Sequence, residues 1–155
     1  MELSRFLHPN AVFHKIGATD KKSLLFEISK KAEVSSGLDS HLIYEKLIER
    51  EILGPTALGR GVAIPHIRSE DISEITGFFF KLRTPIDFGA LDGEAVDLVF
   101  FLITPLQDGA DHLQAMASVA RNLKNAELCR KLRGSINPEA MYMMLTADER
   151  EKLAA

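Results

Sequence analysis

The sequence predicts an α/β fold, a three-layer sandwich in which helices flank a mixed, mostly parallel sheet. Strand-like and helix-like patterns alternate along the chain, which is the signature of that layering. The stretch "VDLVFFLITP" (96–105) is apolar at almost every position, as a strand covered on both faces must be. The 155 residues are enough for one domain with its own core and no staples, so a single domain over 1–155 is expected.

Each element has a local reason. "AVFHKI" (11–16) reads as the first strand, followed by Gly17 and a helix start at Thr19-Asp20. Leu24, Leu25, Ile28 and Ala32 then recur at helical spacing, with Lys21, Lys22, Lys30 and Lys31 off that face. "SSGLDS" ends this helix, and Ser40 can cap the next, "HLIYEKLIEREIL", whose stripe is Leu42, Ile43, Leu47 and Ile48. "LGPTALGRG" (53–61) holds three glycines and a proline and reads as a loop. "VAIPH" follows as a short strand, and "ITGFFFKL" (75–82) as another, before the turn-rich "TPIDFGALDGEA". After 96–105 comes the helix "QDGADHLQAMASVARNLK", with Leu113, Met116, Ala117, Ala120 and Leu123 on its inner side. "NAELCRKLRG" stops at Gly134, and "NPEAMYMMLTADEREKLAA" opens with Asn137 as cap and Pro138 in the first turn.

Composition narrows the function classes. The chain is 46% apolar and 26% charged, ordinary for a soluble protein, with a formal net charge of -3. No basic block is present, which argues against broad nucleic-acid binding through phosphate neutralisation. The N-terminus lacks a signal-peptide pattern, and no run reaches the roughly 20 apolar residues of a membrane span, so no membrane insertion is expected. The single Cys129 cannot form an internal disulfide and reads as a small helix residue; a cytoplasmic location is expected.

The candidate chemistry centres on "GVAIPH" (61–66). Pro65 fixes its own φ, lacks a backbone donor and pushes Ile64 toward extended geometry, so the ladder is expected to stop there. His66 is therefore expected at a strand terminus, either as a satisfied structural histidine or as a group built for presentation. Its company supports the second alternative: Arg50 lies upstream at a helix end, and His112 downstream in the first turn of a helix. An arginine and two imidazoles suit an anion held transiently, such as a phosphoryl group. A neutral imidazole can attack phosphorus, an arginine can bridge phosphoryl oxygens, and a second histidine can donate one more hydrogen bond.

Blander roles stand beside these. Arg50 can be a solvated helix end balanced by Glu49 or Glu51, His112 can pair with Asp108 or Asp111, and Thr56 can be a turn residue or a phosphate-facing hydroxyl. Asp108 or Asp111 can cap the helix or complement its N-terminus. His8, His14 and His41 receive no role. The two histidines lack an HExxH spacing and there is no cysteine cluster, which argues against a metal site. There is no GxSxG elbow, Walker motif or dinucleotide fingerprint, so no hydrolase site and no bound cofactor are expected.

"EREILGPTALGRGVAIPHIR" (49–68) together with "DHLQAMASVARNL" (111–123) strongly resembles the IIA components of the bacterial phosphoenolpyruvate-dependent phosphotransferase system. The match is to the fructose/mannitol-type superfamily, and within it the chain is most similar to the nitrogen-regulatory branch. The resemblance implies one IIA type 2 domain over 1–155, built as a mixed sheet between helices. It implies that His66 is phosphorylated by a histidine phosphocarrier protein, that Arg50 stabilises the phosphoryl group, that His112 supports it, and that Thr56 lies in the loop beside it. It further implies a regulatory role, in which the phosphorylation state controls binding to protein targets such as kinases or transporters. The alternative within the family is a sugar-specific IIA that passes its phosphoryl group to a separate IIB component during uptake.

Ile67-Arg68 departs from the glycine that many sugar-specific members carry after the Pro-His pair, which bears on partner choice and adds positive charge. A shallow apolar docking rim is expected around His66, with Val62, Ile64, Ile67 and the 106–112 loop as candidates.

Overall fold

The fold was obtained as a computed structural model, which describes residues 1–107 and 109–154. A single turn of 3-10 helix at Leu3–Arg5 precedes β1 (Leu7–Ile16), α1 (Lys21–Ser36) and α2 (Ser40–Ile52). Then come β2 (Ala57–Gly59), β3 (Val62–Ala63), β4 (His66–Ser69), β5 (Thr76–Ile86) and β6 (Val96–Pro105). Four helices close the chain: α3 (Gly109–Leu123), α4 (Ala126–Gly134), α5 (Pro138–Leu145) and α6 (Ala147–Ala154).

The strands form one sheet in the order β1-β5-β6-β3-β2, and β4 also pairs with β6. β6 runs parallel to β3 and β4, and β1 parallel to β5, while β5–β6 and β2–β3 are antiparallel. The predicted class therefore holds: a mixed, mostly parallel sheet flanked by helices. The all-apolar run of β6 sits at its centre, with Leu98 through Ile103 fully buried. Phe78, Phe79 and Phe80 on β5 register against Phe101, Phe100 and Val99. Each such phenylalanine contributes about 1.5–3 kcal/mol of burial free energy, which makes this pair of strands the rigid backing of the molecule.

Several boundaries move for identifiable reasons. β1 begins at Leu7 instead of residue 11, because a register shift between Leu7 and Val12 lets the edge strand absorb Pro9. β5 runs on to Ile86 through a shift after Lys81. The expected loop 53–61 contains β2, which pairs with β3. α1 is capped as expected by Asp20, whose side chain accepts from Ser23 N at 2.8 Å. Ser40, expected as the cap of α2, is inside the helix; its N–H is bound instead by Glu33 Oε2 at 2.7 Å, across the short α1–α2 turn. The inner face of α3 is Ala115, Ser118, Val119 and Leu123, leaving Leu113 and Ala117 exposed. The polar Ser118 belongs to the buried face because its hydroxyl donates to Met1 O, which apolar spacing alone does not reveal. The last helix divides at Thr146.

The expectation at Pro65 is also corrected. The ladder does not stop: β3 pairs with β6 before the Ile64-Pro65 break, and β4 resumes on the same strand after it. Pro65 lacks a donor, but its carbonyl accepts from Leu102 N at 3.1 Å, and Ile64 N turns to Thr56 O at 3.0 Å. His66 is thus at a strand terminus as expected, but it opens β4 instead of closing β3.

Candidate functional site

Placement at the start of β4 decides where His66 points. Ile67 and Ser69 are buried, whereas His66 and Arg68 are only partly buried, so the latter two share the opposite face. Arg68 registers with Thr104 of β6, which therefore projects to that face too. His112, in the first turn of α3, meets Thr104: its Nδ1 lies 2.7 Å from Thr104 Oγ1. The two imidazoles face each other with ring centroids 5.8 Å apart and planes tilted by 58°.

His66 is held in one tautomer. Its Nδ1 lies 3.0 Å from Ile64 O, and a carbonyl can only accept, so Nδ1 carries the proton. The Nε2 lone pair is left free, and Arg50 Nε donates to it at 3.3 Å. Arg50 sits in the last turn of α2 and is braced by a second bond, Nη1 to Gly54 O at 2.9 Å. Burial holds the His66 imidazole below the ordinary histidine value of 6.5, and the Arg50 charge adds to this. The Ile64 bond and the Glu51 charge act the other way. His112 is also depressed, by burial first, then by Arg68 and His66. Both rings are thus neutral near pH 7, one with a nucleophilic nitrogen already presented to a guanidinium.

Thr56 does not meet the expectation of a phosphate-facing hydroxyl. Its Oγ1 donates in a short bond to Glu51 Oε1, and its N–H donates to Glu51 Oε2 at 3.1 Å. Glu51 is buried and also pairs with Lys21 Nζ at 2.8 Å. Lys21 is held in turn by Phe88 O at 3.1 Å and by the Phe88 ring, 4.3 Å to its centroid. Glu51 therefore fixes the turn that carries Gly54 O, on which Arg50 is braced. Sequence reading placed Glu51 only as a charge partner for Arg50; with Lys21 thirty positions away in the chain, no local pattern signals the pair.

The expected docking rim is corrected. Val62, Ile64 and Ile67 are at most 4% exposed and belong to the core. The exposed aliphatic side chains next to site residues are Ile52 (77%), Leu53 (82%), Leu106 (52%) and Leu113 (69%). Ile52 and Leu53 follow Arg50, Leu113 follows His112, and Leu106 N binds Ser69 O at the end of β4. Leu106 agrees with the expected 106–112 segment; Asp108, a candidate cap, lies outside the described residues. Asp111 is in the first turn of α3, 3.9 Å from Arg5. Two clefts, of about 780 and 550 Å³, are lined by none of Arg50, His66 and His112. Among the described residues no group of three or more His, Cys, Asp or Glu side chains could hold a metal ion.

Residues 5–148 match the family described as "Phosphoenolpyruvate-dependent sugar phosphotransferase system, EIIA 2". The chain belongs to that EIIA 2 family. A nitrogen regulatory protein of Bradyrhizobium diazoefficiens is 41% identical over 145 residues, covering 94% of this chain and 95% of that one. Among solved structures, the nitrogen regulatory protein IIA-Ntr from Neisseria meningitidis superposes with a TM-score of 0.88 at 31% identity, over 93% of this chain and 99% of that one. IIA mannitol from Escherichia coli shares the fold, with a TM-score of 0.75 at 19% identity over 89% and 97% of the two chains. Among the described residues of this EIIA 2 chain, no helix is long and apolar enough to cross a membrane.

Proposed function

We propose that this chain accepts a phosphoryl group on His66 Nε2 from a histidine phosphocarrier protein, and that its phosphorylation state controls binding to regulatory protein targets in the cytoplasm. The observation that carries the reading is the tautomer of His66. With Nδ1–H donated to Ile64 O, Nε2 carries the attacking lone pair, which in the resting protein accepts from Arg50 Nε. In the transfer, the Nε2 lone pair forms the new N–P bond. The electron pair of the donor's P–N bond returns to the donor imidazole, and the Nδ1 proton stays on Nδ1, donated to the Ile64 carbonyl. Such transition states are loose, so positioning and charge stabilisation supply most of the catalysis. Arg50 takes the role of phosphoryl clamp, and His112 that of a hydrogen-bond donor to a phosphoryl oxygen. Thr56 acts indirectly, through Glu51.

The partly buried pair bordered by exposed aliphatic residues suits approach by another protein. A phosphoryl group there adds nearly two negative charges at the centre of that surface, which switches docking by repulsion or pairing. The 41% identity to a protein named for nitrogen regulation supports a regulatory outlet. Incubation with phosphoenolpyruvate, enzyme I and phosphocarrier, followed by intact mass, tests the acceptor role. A phosphate-sized gain is expected, abolished in His66→Ala; no gain in the native protein, or an undiminished gain in the variant, overturns it. Rapid onward transfer to a purified sugar-type IIB protein would replace the regulatory outlet with the transport one.

A further inference from the structure

Arg68 has no part in the function proposed above, yet it lies on the face of β4 that carries His66. Its Nη2 donates to Pro105 O at 3.3 Å, one residue beyond Thr104, the residue that binds His112. Its Nε is buried and has no hydrogen-bond partner among the described residues. A buried N–H left unpaired is unfavourable, so this arginine is held in place at some expense. Strand register brings the three groups together: Arg68 opposes Thr104 on β6, and Thr104 binds the His112 ring.

We propose that Arg68 is a positioning residue acting through His112. Braced on β6, it places a second fixed positive charge beside the histidine pair and reserves His112 as an uncharged hydrogen-bond donor for the phosphoryl group. The proposal rests on His66 being the acceptor. Among the described residues, the charged and titratable groups around His112 are Arg68 and His66 on β4, Arg50 beyond His66 on α2, and Asp111 on its own helix, paired with Arg5. Arg68 and His66 both oppose a charge on the ring, and burial acts in the same direction. In the free protein His112 is therefore neutral, with Thr104 on Nδ1. When a dianion forms on His66, the neutral ring, with Nδ1 accepting from the Thr104 hydroxyl, can donate its Nε2–H to a phosphoryl oxygen. The Ile67-Arg68 departure from the Pro-His-Gly pattern thereby gains a physical role.

Arg68→Met, Arg68→Gln and Arg68→Lys, made in the full chain, test this. Titration of the histidines by NMR in the unphosphorylated protein is the first readout. Loss of the charge should raise the His112 midpoint by about one pH unit, in Met and Gln alike, while Lys leaves it near the native value. An unchanged midpoint in a folded Met or Gln variant overturns the proposal. The second readout is the phosphorylated form: Met and Gln should lower kcat for phosphoryl acceptance or shorten the phosphohistidine lifetime by about tenfold, with KM for the phosphocarrier unchanged and partial rescue by Lys. A rise confined to KM, or no rescue by Lys, also counts against it. If the native protein takes up no phosphate, the acceptor reading fails by itself, and the NMR titration still reports whether Arg68 acts on His112.

Discussion

Arg50 Nε lies 3.3 Å from His66 Nε2, the nitrogen that the Ile64 carbonyl leaves unprotonated. The guanidinium therefore occupies, before any reaction, the direction from which a phosphoryl group must bond. It must swing toward phosphoryl oxygens as the N–P bond forms, with Gly54 O as the tether that keeps it close. Arg50→Ala should lower the rate of phosphoryl acceptance by about 10²–10³, the usual cost of removing one preorganised charge-stabilising donor. Arg50→Lys should recover only part of it, because a point charge cannot bridge two oxygens as a planar fork does. Rapid-quench transfer from phosphorylated phosphocarrier measures both, and circular dichroism should show the fold intact.

The depressed basicity of His66 sets a pH dependence of definite sign. In the folded state the ring stays neutral below the ordinary value of 6.5, chiefly because burial disfavours its charged form. The acid limb of the acceptance rate should therefore fall below pH 6.5, and the rate should be flat across neutrality. A limb at or above 7 would show that the ring is protonated in the resting protein. Stability follows the same linkage. The unfolded chain binds a proton that the folded chain refuses, so stability is lost as pH falls through 6.5 and the loss is complete below the folded value. His66→Gln should flatten that part of the denaturation midpoint–pH curve.

Glu51 gives a prediction about fold and site together. It accepts both Thr56 bonds and the Lys21 ammonium from a buried position. Glu51→Gln leaves Lys21 partly buried without its counter-charge, a change that typically costs about 3–5 kcal/mol. Thermal denaturation should show the melting point lowered by roughly 6–20 °C at this chain length. Because the Gly54 tether loosens with the turn, phosphoryl acceptance should also fall at temperatures where the protein remains folded. A double variant with Lys21→Met should restore much of the stability but not the acceptance rate. Recovery of both together would show that Glu51 serves stability alone.

What the sequence made legible, and what it did not, separates along chain distance. β6, α1 and the Asn137 cap of α5 were readable because their causes are local: continuous apolarity, 3.6-residue periodicity and a capping side chain. His66, Arg50 and His112 were singled out as residue types, and the fold places all three together. The errors came where a distant partner decides. Pro65 reads as a stop, yet β6 supplies an N–H to its carbonyl and the ladder continues. Thr56 reads equally as a turn residue or a phosphate-facing hydroxyl, and its bonds to Glu51, which hold it in the turn, could not be read from the sequence. Val62, Ile64 and Ile67 read as an apolar rim, yet the neighbours that bury them come from other elements.

Gly61 fixes how β3 meets β6. Its φ is +81°, and a Cβ there would lie 2.6 Å from Arg133 Nη2 and 3.3 Å from Ala95 O. Its carbonyl accepts from Asp97 N at 3.0 Å and Leu98 N at 3.1 Å, which sets the register in which β3 meets β6. Gly61→Ala combines a disfavoured left-handed backbone with a displaced Arg133–Asp97 ion pair. A loss of about 2–4 kcal/mol is expected in urea denaturation. Phosphoryl acceptance, normalised to the folded fraction, should change far less than in Arg50→Ala. A larger catalytic than structural loss would mean that the register shift reaches His66 itself.

The exposed aliphatic residues beside the site carry the last prediction. Leu53 and Leu113 are 82% and 69% exposed, one following the Arg50 turn and the other following His112. Substitution of such surface residues usually moves stability by about 0.5 kcal/mol or less. If they form the rim against which the phosphocarrier docks, Leu53→Glu and Leu113→Glu should raise KM for the phosphorylated phosphocarrier by about tenfold each. The saturated rate should hold, since neither residue touches Nε2 or the guanidinium. Substitution of Val34, equally apolar and 87% exposed on α1, is the control for a nonspecific effect of added charge. Equal effects at all three positions would mean that net charge, and not an apolar rim, governs the encounter; an effect confined to Leu53 and Leu113 places the partner's footprint across the mouth of the Arg50–His66–His112 site.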